Sequence, residues 1–231
     1  MLTPATPEAM DLLMQGVQAF AAVERAGLRI DVPYLDRAIT ETRQRIAVMR
    51  EALNDDPVMV EWHKQYGSAM KLNSPIQLGK IIFDCMGYTR NPLFRDNEKD
   101  KDGNEELAFK HVKLPFIKNY FESRKLDKAL STFLMGIKKE TVDGYIHPFI
   151  DLHTAESYRS SSSKPNFQNQ PRRNKEIAKI VRSCVVSRFG DNGVLLEPDY
   201  ESHEVKTSCF YHKDPVFTKY VTGGGDMHRD S

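Results

Sequence analysis

No stretch of this 231-residue chain approaches the roughly 18 consecutive apolar residues needed to cross a bilayer, so no segment reads as a membrane-spanning helix. A secretory leader is equally unexpected. Glu8 and Asp11 stand where such a leader needs basic and then purely apolar residues, which predicts a cytoplasmic protein. Cysteine is scarce: Cys85, Cys184 and Cys209 are far apart and never form a C-x-x-C pair. That excludes a disulfide scaffold and a zinc site of the usual ligand spacing, and it suits a reducing compartment. The chain also lacks an excess of charge of one sign, with 33 Lys and Arg against 32 Asp and Glu. Net charge therefore names no partner.

The distribution of charge says more. Between Arg159 and Arg188, eight Lys or Arg face one acid, Glu176, a local balance of +7. From Lys113 to Lys139, seven bases face Glu122 and Asp127, a balance of +5. Such stretches suit a polyanion, and they equally suit solvated helix faces. Charge alone leaves both open.

Apolar periodicity predicts a helix over 8–26, stopped by Gly27. Residues 28–31 form a short extended link. Asp31 caps and Val32–Pro33 opens a second helix, which runs to about Leu53. The pattern weakens over 54–72. It restarts at Asn73–Ser74–Pro75, with Leu78, Ile81 and Ile82 on one face and Gly87 as stop. A long helix is expected over 114–139, a turn at Asp143–Gly144, a strand over Tyr145–Leu152 and an irregular loop over 153–174. A basic helix over 175–183 precedes a strand, Val194 to Tyr200, and then helices over 201–211 and 215–221. Helices dominate the first 140 residues and strands follow, which predicts an α+β fold in two lobes. The polar run 95–106 carries Asp100, Asp102 and Gly103 but fails as a calcium loop. Its first position would be Glu98, and its twelfth, which must be a bidentate Glu, is Phe109.

Chemistry concentrates in two places. The predicted strand ending at Tyr200 delivers Asp199 to its carboxyl end, with Glu204 just beyond. Strand ends hold side chains rigidly near ligands, although an Asp there also serves simply as a helix cap. The loop from Arg159 to Arg173 mixes serines, Asn166, Gln168, Asn169 and guanidiniums, groups suited to phosphate and groove-edge hydrogen bonds.

Taken in chain order, several blocks resemble the family A DNA polymerases, the bacterial DNA polymerase I type, especially their phage members. The blocks are Glu24-x-x-Gly27-x-x-x-Asp31, Asn73–Ser–Pro–x–Gln–Leu–Gly79 and Arg124-x-Leu-x-Lys128-x-x-Ser131–Thr132–Phe133. They continue with Asp143–Gly144-x-Ile–His147–Pro148, then the run from Arg159 through Pro165–Asn166-x-Gln168–Asn169 to Arg173. Asp199–Tyr200-x-x-x-Glu204 and Gly-Gly-Asp226-x-His228 complete the set. The resemblance covers the chain apart from about 89–111.

The resemblance implies an N-terminal palm-associated helix over 1–32, a helical thumb over 33–140, and, over 141–231, a partial palm with a small antiparallel sheet, the first metal-binding motif and the start of the fingers. The rest of the fingers and of the palm is expected to lie elsewhere. It implies that Asp199, with the carbonyl of Tyr200, binds Mg2+, and that Glu204 excludes a ribose 2′-hydroxyl. Arg173 and His228 would lie near an incoming dNTP. Arg159, Asn166, Gln168 and Asn169 would follow the minor groove of primer–template DNA, and Arg124, Lys128, Ser131 and Thr132 would grip the duplex backbone. One carboxylate cannot hold two metals, so a separate chain supplying the fingers and the second palm motif is the expected partner. The alternatives are a non-catalytic primer–template-binding module and a fragment of a longer gene. This sequence departs from the family pattern at Glu201–Ser202–His203, at Lys206 and at Tyr158.

Overall fold

The computed structural model describes residues 6–96, 106–155, 157, 159–172 and 174–225. The chain divides into two compact units, Met1–Asp191 and Asn192–Ser231. The fold is α+β, mostly helical with small antiparallel sheets. The calcium-like run lies largely outside the described residues, as do Arg173, Asp226 and His228.

Local signals set the helix boundaries in the first unit. Helix α1, Pro7–Ala26, begins where the Thr6 side chain accepts the Ala9 N–H at 3.2 Å. It stops at Gly27, whose φ is 63°. A Cβ there would meet the His147 ring at 2.6 Å and the Ile146 carbonyl at 2.8 Å, so both conformation and space demand glycine. Helix α2, Val32–Asn54, starts with the Asp31 carboxylate accepting the Tyr34 N–H at 2.9 Å. Helix α3, Pro57–Tyr66, falls where the periodicity weakens. Its cap signal, Asp56 before Pro57, is present in the sequence, but it is short and buries Val58, Met59 and Trp62 rather than a repeating stripe. Helix α4, Pro75–Gly79, capped by Ser74, runs on through a π-helical stretch, Lys80–Cys85. The expected long helix is likewise compound: α5, Pro115–Lys128, a π-helical stretch Ala129–Leu134, and α6, Met135–Glu140.

The strands required more correction. Residues 28–30, expected as a link, form β1, Leu28–Ile30, the centre of a three-stranded sheet. Arg29 lies opposite Tyr145 of β2, Tyr145–Ile146, and opposite Val186 of β5, Val185–Val186. The expected strand over 145–152 is divided at His147–Pro148, because proline has no N–H for a ladder. Its second part, β3, Phe149–Asp151, pairs with β4, Ser161–Ser163, inside the stretch expected to be irregular. Val194–Tyr200 is not a strand: no described segment pairs with it, and a strand without a ladder has nothing to hold it extended. Val194 is 81% exposed, and Leu195 and Leu196 are exposed beside it.

Two adjoining apolar clusters fill the first unit. One gathers Leu53, Trp62, Leu78, Ile81, Ile82, Phe109 and Phe116. The other gathers Ile30, Leu35, Ile39, Leu134, Ile137, Ile146 and Val181, the last from α7, Lys175–Arg182. Helices α2 and α5 pack side by side and contribute to both clusters. Their junction is thereby held rigid.

Burial also separates the cysteines. The Cys184 thiol is pushed up to about 12, chiefly by desolvation and secondarily by the Asp31 carboxylate, whereas Cys85 is exposed. A raised native value means that this contribution to stability is complete below the ordinary value of 9.0 and is lost as pH rises through about 12. Because the thiolate is the nucleophile, iodoacetamide at pH 8 is expected to alkylate Cys85 in the native protein and Cys184 only after denaturation. Peptide mass spectrometry reads the order. Equal native labelling at both positions would contradict it.

Candidate nucleic-acid interface

Helix α5 carries Arg124 and Lys128 one turn apart, so both project from one face. The π-helical stretch that follows brings Ser131 and Thr132 to the same side. All four line one groove of ≈540 Å³, together with Asn73 and with Arg50 from α2. Leu53, Met59, Leu72, Tyr120 and Phe121 supply its apolar lining. The Tyr120 hydroxyl donates to the Leu72 carbonyl at 2.6 Å, and the Arg124 guanidinium lies 5.9 Å from the Tyr120 ring centroid. Ser131 Oγ donates to the Asp127 carbonyl at 2.7 Å.

Charges in the groove divide by their partners. Lys125 is mostly buried, and desolvation opposes its charge. Ion pairs to Glu106 at 3.1 Å and Glu122 at 3.4 Å outweigh that, so its pKa lies above the ordinary lysine value and it ties α5 to the segment before it. Lys128, Ser131 and Thr132 are exposed, and Arg124 is half-buried. Arg50 pairs with Asp127 at 2.5 Å. Neither of these two was among the residues singled out from sequence. Arg50 sits between the buried Ile46 and Leu53 of α2, at the margin of an apolar face. Only the packing of α2 on α5 brings it to the groove.

The serine-rich loop is organised around one buried hydroxyl. Ser162 Oγ accepts the N–H groups of Phe167 at 3.0 Å and Gln168 at 3.1 Å, and donates to Asn166 Oδ1 at 3.4 Å. Asn166 Oδ1 also accepts the Asn169 N–H, and Gln168 Nε2 donates to Ser160 Oγ at 2.7 Å. Part of the amide content therefore shapes the loop itself. Arg159, Asn166, Gln168 and Asn169 are all exposed.

Other blocks have structural explanations. The Glu24 carboxylate accepts the Ile150 N–H at 2.5 Å, and its carbonyl lies 2.7 Å from His147 Nδ1. Arg188 donates to the carbonyls of Ala26 and Gly27. Gln77 Oε1 accepts from Trp62 Nε1 at 3.2 Å and from the Lys71 N–H at 2.8 Å.

In the second unit, Asp199 and Tyr200 lie on an exposed, non-strand segment, so the expected delivery of Asp199 by a strand end is not what the structure has. Glu204 occupies the first turn of α8, His203–His212, where a carboxylate complements the helix dipole. Ser202, before it, is left-handed with φ 51°, and the rings of Tyr200 and His203 are 5.4 Å apart. Helix α9, Pro215–Thr222, capped by Asp214, follows. Among the described residues no group of three or more His, Cys, Asp or Glu gathers to hold a metal ion. Nor does any described helix have the length and apolarity to cross a membrane.

Comparison with known proteins decides the family. The sequence model of DNA polymerase family A matches residues 41–231. This chain belongs to family A. Among its relatives, the DNA polymerase I of Helicobacter pylori (strain J99) is 29% identical over 96% of the chain, which spans 23% of that protein. The DNA polymerase of Bacillus phage SP01 is 24% identical over 99% of the chain and 28% of its own length. That of Escherichia phage T5 is 32% identical over 78% of the chain and 21% of its own length. The chain thus spans about a quarter of these family A enzymes. Its fold is similar to the POL domain of Pol1 from M. smegmatis, solved in complex with DNA primer-template and dNTP. The TM-score is 0.69 at 23% identity, covering 91% of this chain and 35% of that one.

Proposed function

We propose that the chain is the thumb and first palm portion of a family A DNA polymerase, serving template-directed transfer of deoxynucleotides to a primer 3′-hydroxyl in the cytoplasm. In this reading residues 1–32 are palm-associated, 33–140 form the thumb and 141–231 part of the palm. The observation that carries it is the single groove lined by Arg124, Lys128, Ser131 and Thr132. Its two cations and two hydroxyls suit successive phosphates of a duplex backbone, and none of them reads base identity, as a polymerase requires. Arg159, Asn166, Gln168 and Asn169 would meet minor-groove acceptors common to all base pairs. Glu204 would clash with a ribose 2′-hydroxyl, and Arg173 and His228 would approach the dNTP. Asp199 and the Tyr200 carbonyl would give part of the hold on Mg2+, which when bound supplies charge neutralisation at the phosphates. The remaining ligands and the fingers would come from a separate chain in this reading.

Mixing the chain with a polypeptide that supplies fingers and the second palm motif is the decisive experiment. Primer extension restored by mixing supports the proposal; a stable complex with no extension counts against it. A second reading, a primer–template-binding module without catalysis, rests on the same phosphate-suited groove. In either reading the isolated chain binds duplex DNA with strong salt dependence. Lys128→Ala and Arg159→Ala are each expected to weaken binding and to lower the salt slope by about 1. Fluorescence anisotropy across a salt series measures this. An unchanged slope in both variants would remove the interface reading.

A further inference from the structure

We infer that Arg50 is an additional phosphate-binding residue of the groove and that Asp127 is its latch, a carboxylate that occupies the guanidinium until a nucleic-acid backbone competes for it. This rests on the proposed reading of the groove as a duplex-binding surface. Arg50 reaches the groove from α2, whereas Arg124 and Lys128 reach it from α5, so Arg50 adds a cation from a second element. Asp127 lies on α5 between those two bases in sequence and lines the same groove.

The pair is made to exchange. Its side chains are 51% and 36% exposed, so water screens the attraction and the bridge holds only weakly against a competing anion. A phosphate offers the guanidinium the same two-oxygen geometry as a carboxylate, with more charge concentrated along a backbone. Lys125 provides the contrast within the same groove. Two glutamates hold it, with its side chain only 20% exposed, so it is not available for exchange. In the free protein Asp127 both occupies Arg50 and repels approaching phosphates. Once DNA takes Arg50, the groove gains a contact on the α2 side.

Anisotropy of a fluorescein-labelled primer–template duplex, titrated with the full chain at several salt concentrations, tests this. Asp127→Asn is expected to tighten binding by about two- to fivefold, the scale of one exposed ion pair. Arg50→Ala is expected to weaken it and to lower the salt slope by about 1. In an Arg50→Ala background, Asp127→Asn should recover clearly less than it does in the wild type, because no guanidinium remains to be released. Thermal melting of each variant establishes that it is folded. Equal gains from Asp127→Asn with and without Arg50 would reduce Asp127 to general repulsion and overturn the latch. Wild-type affinity and slope in Arg50→Ala would overturn the phosphate contact. An Arg124→Ala/Lys128→Ala variant separates the two levels. If it binds duplex as the wild type does, the groove reading itself fails. If it loses binding while Arg50→Ala does not, only the inference about Arg50 fails.

Discussion

Asp199→Ala is expected to reduce primer extension by the reconstituted polymerase by about 10³-fold or more while leaving duplex binding within about twofold of wild type. The size follows from what is lost. A carboxylate that helps hold a divalent cation at developing phosphate charge is worth several kcal/mol, and each 1.36 kcal/mol is tenfold in rate. The separation of effects follows from the roles proposed for the two groups. Asp199 belongs to the second unit, whereas Arg124, Lys128, Ser131 and Thr132 line a groove of the first. Single-turnover extension measured beside anisotropy reads both. Extension that survives Asp199→Ala would contradict the assignment of Asp199. Loss of duplex binding in the same variant would show that the two properties are not separable. Glu197 and Glu201 flank Asp199 on the same exposed segment, so retained activity in Glu197→Ala and Glu201→Ala variants establishes which carboxylate acts.

Trp62→Ala should give the largest loss of stability, about 3–5 kcal/mol, because truncating a large core side chain removes its transfer free energy and leaves a cavity. Trp62 is fully buried, packs its ring 5.9 Å from Tyr120 and donates its indole N–H to Gln77. The effect should extend to the groove, since Tyr120 and Met59 line it and Met59 belongs to the same short helix as Trp62. Chemical denaturation with circular dichroism measures the loss, and anisotropy at a temperature where the variant remains folded measures the groove. A destabilisation under about 1 kcal/mol would mean that the cluster around Trp62 collapses to fill the gap.

The second unit has little of this kind of support. Cys209 is its one buried hydrophobic residue among those described, while Val194, Leu196, Tyr200, Phe210 and Tyr211 are all exposed. Polypeptide of this size rarely holds a stable core by itself. The segment bearing Asp199 is accordingly exposed, with little apolar packing of its own among the described residues.

What could be read from residues alone was what short-range chemistry controls. Asp31 before Val32–Pro33, Ser74 before Pro75, and Gly27 after Ala26 mark helix ends because each cap is satisfied within a few residues of itself. Arg124, Lys128, Ser131 and Thr132 come from the family resemblance, and the continuous run of α5 and the π-helical stretch after it carries all four. Side-chain roles within a motif were less legible. Ser162 Oγ and Asn166 Oδ1 take up the loop's own N–H groups, which depends on how the loop closes.

The sequence by itself determined most of the long helices, the ends marked by Gly27, Asp31 and Ser74, and the resemblance to family A. Tertiary structure alone decided that Leu28–Ile30 is a central strand, because its partners Tyr145–Ile146 and Val185–Val186 lie more than a hundred residues away and a ladder has no local signature. It also decided that Val194–Tyr200, with the composition of a strand, has no strand partner among the described residues. And it brought Arg50 to Asp127 across two helices. Capping and periodicity act along the chain, whereas pairing and groove formation act through space.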